Sequence, residues 1–239
     1  MSGAGPRHLN LGGFPLLSTR SAPLIAHLAR RLERGRQTVL LFANTNFFVQ
    51  CAALRAQLRK PGVRLVNDGI GLAIAARLIK GHRFAENLNG TDFLPPLLAQ
   101  LDAPAFLIGG RPGIADRAAA TLARTHQVRV VGTRDGYGGL DDPGAVIRAI
   151  DDSGAAVVVV ALGNPLQERW ILAHRPQLGP RLVIGAGALL DFLAGEVVRA
   201  PPWVRALRLE WLFRLAQEPR RLLRRYTLDI LTFLRLCRE

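Results

Sequence analysis

Six short runs of aliphatic and β-branched residues, separated by helical stretches of roughly 10–15 residues, predict an α/β domain built on a parallel sheet with flanking helices. Every run ends in glycine or small polar residues, as strands of an open α/β sheet do where they face a ligand. After residue 198 the composition changes to a basic, aromatic helical pattern. The chain therefore divides into an α/β domain over 1–198 and a C-terminal helical appendage over 199–239. With 49% hydrophobic residues in 239, there is apolar material enough for one such core.

The elements follow in order. Residues 8–17 are expected to form a hairpin around Gly12-Gly13, and 21–34 a helix. Strands are expected at 38–43, 63–66, 105–108, 128–131, 155–161 and 182–184, each but the last followed by helical periodicity. This is the Rossmann-like arrangement of βαβ units. The exits read Asn44-Thr45-Asn46, Asn67-Asp68-Gly69, Gly109-Gly110, the loop from Gly132 to Tyr137, Gly163-Asn164-Pro165 and Gly185-Ala186-Gly187. A tight turn explains any one of them; all six together point to a ligand surface at the carboxyl ends of the strands.

The net charge of +14 points to a polyanionic partner: nucleic acid, anionic lipid or a phosphorylated substrate. Ten arginines and four acidic residues give the last 41 residues +6, leaving +8 for the first 198. Apolar Trp203, Trp211, Leu231 and Phe233 alternate there with arginines such as Arg220, Arg225 and Arg235, a pattern suited to an interfacial helix. Near an anionic leaflet each basic residue contributes on the order of 1 kcal/mol. Basic residues interleaved with exposed aromatics over one face, the mark of a nucleic-acid binder, are not seen, so no nucleic-acid partner is expected. The longest apolar stretch, 154–163, has about half of the ~20 residues a spanning helix needs. No signal pattern opens the chain. The expected location is therefore cytoplasmic, peripheral on the inner face of the membrane.

Asp68 is the first candidate for catalysis. It ends a strand at the start of a helix, where the helix dipole favours an ionised carboxylate; capping is its alternative role. Asp92, in Asn89-Gly90-Thr91-Asp92, leans further towards capping. Asp191 follows a glycine-rich exit, and Asp141-Asp142 looks like a helix cap. Gln167 and Glu168 are expected in the first turn of a helix opened by Pro165. The histidines lack ligand spacing, and Cys51 and Cys237 cannot form a disulfide framework or zinc site, so no metal is expected. A nucleotide-cofactor enzyme of the NAD type fits the strand pattern, but there is no clean dinucleotide fingerprint.

Taken in order, the motifs are Asn67-Asp68-Gly69, Asn89-Gly90-Thr91-Asp92, Ile108-Gly109-Gly110, Asp135-Gly136-Tyr137, Gly163-Asn164-Pro165-Leu166-Gln167-Glu168, Gly185 to Gly187 with Asp191, and Leu209-Glu210-Trp211-Leu212 leading to Arg214. In that order they resemble the WecG/TagA/CpsF family of bacterial glycosyltransferases, from about residue 38 to 226. The resemblance implies an inverting enzyme that needs no metal or other cofactor. Such an enzyme moves a sugar from a UDP-sugar to a saccharide on a polyprenyl diphosphate, for cell-surface polysaccharide or exopolysaccharide. It implies Asp68 as general base, and substrate contacts from Asn44, Thr45, Asn46, Asn67, Thr91, Asp92, Gly109, Gly110, Tyr137, Asn164, Gln167, Glu168, Gly187 and Asp191. Arg214, Arg221 and Arg224 would close over the site from the appendage. Where family members carry Arg-Val before the Gly-x-Asp motif, this chain has Asn87-Leu88, and Arg83 is the arginine near in sequence. That departure leaves both an N-acetylmannosamine-type donor and a plain UDP-hexose in play. Oligomeric state is left open, a homo-oligomer included.

Overall fold

In the computed structural model, the structure describes residues 7–179, 181–201, 203, 204, 207, 209–217, 219, 223 and 227–238. Arg221 and Arg224 lie outside the described residues, and of Arg214 only the backbone is described. The expected hairpin forms from β1 (Arg7–Leu11) and β2 (Phe14–Ser18), paired antiparallel across Gly12-Gly13. Helix α1 (Ser21–Glu33) follows. The parallel strands are β3 (Thr38–Ala43), β4 (Val63–Asn67), β5 (Ala105–Gly109), β6 (Val130–Arg134), β7 (Val157–Ala161) and β8 (Leu182–Gly185). Their order across the sheet is β1-β2-β4-β3-β8-β7-β5-β6.

Helices cover both faces, so the central strands are buried on both sides and read as continuous apolar runs. On β3, Val39, Leu41 and Ala43 join one core cluster while Leu40 and Phe42 join the other. The first cluster receives α2 (Thr45–Gln50), α4 (Ile70–Lys80), α7 (Pro143–Asp152) and α8 (Leu166–His174), with the short α3 (Arg55–Leu58) between α2 and β4. The second receives α1, α5 (Gly90–Leu101), α6 (Ile114–His126) and α9 (Leu189–Leu193). Helices leaving the adjacent strands β3 and β8 thus pack on opposite faces, and the carboxyl ends of those strands open the crevice where such sheets hold ligands.

Two boundaries differ from the sequence reading. Residues 128–131 were expected as a strand, yet β6 begins at Val130 and runs on through Thr133-Arg134, residues expected in the exit loop. The reason lies in the end of α6. Gln127 adopts the left-handed conformation (φ 55°), and Val128 N–H returns to Leu122 O, a Schellman-type ending whose apolar residue is Val128. Asn44-Thr45-Asn46 is likewise more than a loop: Asn44 caps α2, its Oδ1 accepting from Phe47 N–H at 3.0 Å, and Thr45 and Asn46 form the first turn. Asp142 caps α7 as expected, accepting from Ala145 N–H at 3.0 Å.

Beyond residue 198 the described residues include helices Glu210–Gln217 and Leu228–Arg238. The second helix presents apolar residues in two directions. Phe233 and Cys237, one turn apart, are buried in the first core cluster, with the Phe233 ring 5.4 Å from that of Phe48. A Cβ on Gly12 would meet the Leu236 carbonyl oxygen at 2.5 Å, so the hairpin turn also closes against this helix. Phe233 therefore belongs to the core, not to the membrane-facing side the sequence pattern assigned it. Leu231 and Leu234 are exposed, as are Trp203, Leu207, Trp211 and Leu212. No helix among the described residues is long and apolar enough to cross a membrane. Phe233→Ala should lower the unfolding free energy by about 3–5 kcal/mol, the usual cost of emptying a buried aromatic site. Urea denaturation measures this, and an unchanged midpoint would show that the helix is not anchored in the core.

Candidate functional site

Four neighbouring strand ends, those of β4, β3, β8 and β7, are wired together by side-chain hydrogen bonds. At β4, Asp68 follows the last strand residue. Its N–H donates to Ala43 O at 2.8 Å, and its Oδ2 accepts from Asn44 Nδ2 at 3.3 Å. Asn44 thus uses both ends of one amide, the oxygen to cap α2 and the nitrogen to hold Asp68. The N-cap of α4 is Gly69, at φ 91°, and no side chain caps that helix. Asp68 is partly exposed beside it. Gly69 N–H is taken instead by Asn87 Oδ1 at 2.7 Å. Sequence reasoning noted Asn87 as a departure from the family pattern but missed this role, which the adjacency of Leu88 N–H and Asn67 O (3.1 Å) makes possible.

At the centre lies Glu168, a fully buried carboxyl group in the first turn of α8. Its Oε1 accepts from Asn164 Nδ2 and from Gln167 Nε2, both at 2.7 Å. The far ends of those two amides reach other strands. Asn164 Oδ1 accepts from Asn46 Nδ2 at 3.4 Å, and Gln167 Oε1 accepts from Gly187 N–H at 2.9 Å. Gln167 fits because Gly185 has no side chain: a Cβ there would stand 2.7 Å from Leu41 Cδ2 and 3.0 Å from Gln167 Nε2. The peptide bond between Asn164 and Pro165 is cis.

Burial raises the Glu168 pKa, opposed by hydrogen bonds from Gln167, its own backbone, Asn164 and the Cys51 thiol. Cys51, at the end of α2, is fully buried, and burial followed by the neighbouring Glu168 pushes its own pKa up. Beside this group Asn67, the last residue of β4, is fully buried, and neither end of its amide has a hydrogen-bond partner among the described residues. An unsatisfied buried amide at a strand exit marks a place where a ligand or water completes the bonding.

The remaining candidates divide. Gly109 and Gly110 let the β5 exit pass close to β7: at Gly109, φ is 142° and a Cβ would meet Ala161 O at 2.3 Å. Gly136 N–H bonds Gly110 O at 2.8 Å, which brings the exposed ring of Tyr137 to this edge. Backbone N–H groups of Gly139 and Tyr137 hold the Asp135 carboxyl below its usual range. Thr91 and Asp92 open α5, where the cap is Asn89, accepting from Thr91 N–H at 2.9 Å. Asp92, which sequence reasoning leaned towards capping, pairs with Arg199 at 2.6 Å, joining the chain after residue 198 to the start of α5. Arg83 is exposed on the loop after α4, and among the described residues it makes no hydrogen bond to the cluster. Asp191 stands in the first turn of α9. Among the described residues no three His, Cys, Asp or Glu side chains gather as a metal site.

With a folded-state pKa above its unfolded value, Glu168 contributes stability that is complete below about 4.5 and lost as pH rises through the folded pKa. Gln at this position has no such loss. The melting temperature of Glu168→Gln relative to the native chain should therefore climb as pH rises above about 4.5; a difference independent of pH would mean that Glu168 is not held protonated by burial.

Comparison with known families gives one match over this whole arrangement. A family model described as "Glycosyl transferase WecG/TagA/CpsF family" matches residues 9–239, from the first hairpin to the last residue.

Proposed function

We propose that this chain, which belongs to the WecG/TagA/CpsF family of glycosyltransferases, transfers a sugar from a UDP donor to a saccharide carried on a polyprenyl diphosphate. The family places the enzyme in cell-surface polysaccharide synthesis, with a nucleotide-sugar donor and a lipid-linked acceptor. The observation that supports the finer reading is Asp68, oriented by Asn44 at the mouth of a crevice whose other walls are Asn46, Asn164, Gln167 and Gly187.

In this reading Asp68 takes the proton of the acceptor hydroxyl as that oxygen forms its bond to the anomeric carbon. The bond from that carbon to the β-phosphate oxygen breaks on the opposite face, and UDP leaves with the electron pair, so the configuration inverts. Charge on the departing diphosphate is met by backbone N–H groups at the starts of α4 and α8 and by arginines, with Arg83, Arg214, Arg221 and Arg224 as the proposed set. Nothing in this scheme calls for a metal. Tyr137 and the Gly109-Gly110 turn would receive the nucleoside end, with Thr91, Asp92 and Asp191 towards the sugar. Uridine diphospho-hexose and N-acetylmannosamine-type donors both fit the departure at Asn87-Leu88.

The exposed Trp203, Leu207, Trp211 and Leu212, on a segment of net charge +6, would hold the enzyme on the anionic inner leaflet. Asp68→Asn should lower kcat by at least about 10²-fold while leaving UDP affinity nearly unchanged. A transfer assay over a panel of UDP-sugars with a short-chain polyprenyl-diphosphate glycoside, together with a UDP titration, measures both. Wild-type turnover in the variant, or stabilisation of the protein by NAD and not by UDP, would refute the assignment.

A further inference from the structure

The opposite end of the sheet, where the strands begin, carries a second concentration of positive charge. Arg31 comes from the last turn of α1, Arg36 and Gln37 from the turn into β3, Arg64 from β4, and Arg175 from the end of α8. Together with Gly62 they line an open cleft of about 440 Å³. Because the parallel strands all run towards the transfer site, this cleft lies a full strand length away from it, and its residues take no part in the wiring around Asp68.

Two of the guanidinium groups are fixed in place by the fold. Arg31 donates Nε to Thr38 Oγ1 at 2.6 Å and Nη2 to Gln37 O at 2.8 Å. Arg175 donates Nε to Gln37 Oε1 at 2.8 Å and Nη2 to Pro61 O. Gln37 is itself anchored, its Nε2 donating to Arg175 O at 2.7 Å and Gly179 O at 2.6 Å. Gly62, at φ 88°, lets Arg175 cross: a Cβ there would stand 2.6 Å from Nη2.

Among the described residues no carboxylate faces these guanidinium groups. Arg181, at the entry to β8, is paired with Asp151 at 2.8 Å. Among the described residues, Arg31, Arg36, Arg64 and Arg175 have no carboxylate partner. Their fields act on one another: burial, then Arg64, Arg36 and Arg175, holds the Arg31 guanidinium below its usual range. His27, one turn earlier on α1, is lowered by burial and then by Arg64, Arg31 and Arg30. Four like charges assembled with nothing opposite them cost stability, and a multivalent anion would remove that cost.

We propose that this cleft is a second anion site, distinct from the donor site, that takes a phosphoryl anion of the diphosphate class. The planar guanidinium fork matches phosphate oxygens two at a time, and arginines already held by backbone carbonyls lose little freedom on binding. A free diphosphate and a lipid headgroup share this chemistry, and the pyrophosphate and vesicle titrations below separate the two sources. Bound there, the anion would tie α1 to the entries of β3, β4 and β8, the strands whose far ends carry the transfer site.

The test is calorimetric titration of the full-length protein with inorganic pyrophosphate, comparing the native chain with Arg36→Gln and with Arg36→Gln/Arg64→Gln. Arg36 is exposed and donates no side-chain hydrogen bond among the described residues, and partly buried Arg64 donates to the carbonyl of its neighbour Val63 at 2.9 Å. Among the described residues, neither replacement therefore breaks a side-chain hydrogen bond to another element, and melting in chloride buffer verifies the fold of both variants. The expected result is a pyrophosphate affinity that falls by about tenfold or more in the double variant and by less in the single one, about the effect of losing one to two charge-assisted contacts. Pyrophosphate should also raise the melting temperature of the native chain more than sulfate does at equal ionic strength. Equal affinities in all three proteins, or no binding at millimolar concentration, would overturn the proposal. So would a response to phosphatidylglycerol vesicles with none to pyrophosphate, which would make the cleft a lipid contact. Pyrophosphate bound at the donor site would be common to all three proteins, because the variants leave every residue of that site in place, so the component lost in the double variant is the one that reads the cleft.

Discussion

One buried acceptor, Glu168 Oε1, sets the direction of the hydrogen bonds around the candidate site. Asn164 and Gln167 both donate to it at 2.7 Å, so both amides must turn their nitrogens inward and their oxygens outward. Those oxygens then can only accept, which is why Asn46 meets one with its Nδ2 and Gly187 meets the other with its backbone N–H. A single carboxyl group thereby fixes amide orientation across the ends of β3, β7 and β8. Keeping a carboxyl group in a low-dielectric interior is costly unless its neighbours satisfy it; here two amides donate to Oε1, while the buried Oε2 has no hydrogen-bond partner among the described residues, so part of that cost stands. Asn44 repeats the device on a smaller scale at β4, one amide capping α2 and orienting Asp68.

The C-terminal helices contribute in two ways at once. Phe233 and Cys237 fill the core beside Phe48 and the residues that follow the β3 exit, so the end of the chain braces α2, the helix whose first turn carries Thr45 and Asn46. Its outward residues, Leu231 and Leu234, and the exposed tryptophans upstream leave an apolar surface on a basic segment. The same segment can therefore couple a surface contact to the geometry of the site, because the helix that anchors it touches the element that shapes the crevice. The Arg199–Asp92 pair adds a second tie, from the first residue of the appendage to the start of α5.

Much of this was legible in the sequence, and the exceptions have physical causes. Central strands such as 38–43 announce themselves because burial on both faces demands unbroken apolar runs. The edge strand β6 does not, since half-exposed Thr133 and exposed Arg134 carry no such demand, and buried Val128 serves a helix end instead. Asp68, Gln167 and Gly187 could be placed at strand exits by order alone. What order could not show was partnership: that Asn87 would hold Gly69, that Glu168 would be wholly buried, or that Phe233 would face the core although the helical pattern put it with Leu231 and Leu234. Nor does a sequence show that Arg31, Arg36, Arg64 and Arg175, scattered over 145 positions, converge without a carboxylate. Each of these depends on contacts between distant segments, for which local pattern carries no signal.

We propose that the ends of β4, β3, β8 and β7 form one donor-binding surface, with β3, β8 and β7 joined through Glu168 and β4 joined to β3 through Asn44. Hydrogen–deuterium exchange of the full-length protein with and without UDP tests it most directly. The account predicts slowed exchange in four separate segments, around residues 44–47, 67–70, 163–168 and 185–188, with all four responses weakened together in Glu168→Ala. Protection confined to one of these segments, or found only elsewhere on the chain, would contradict it.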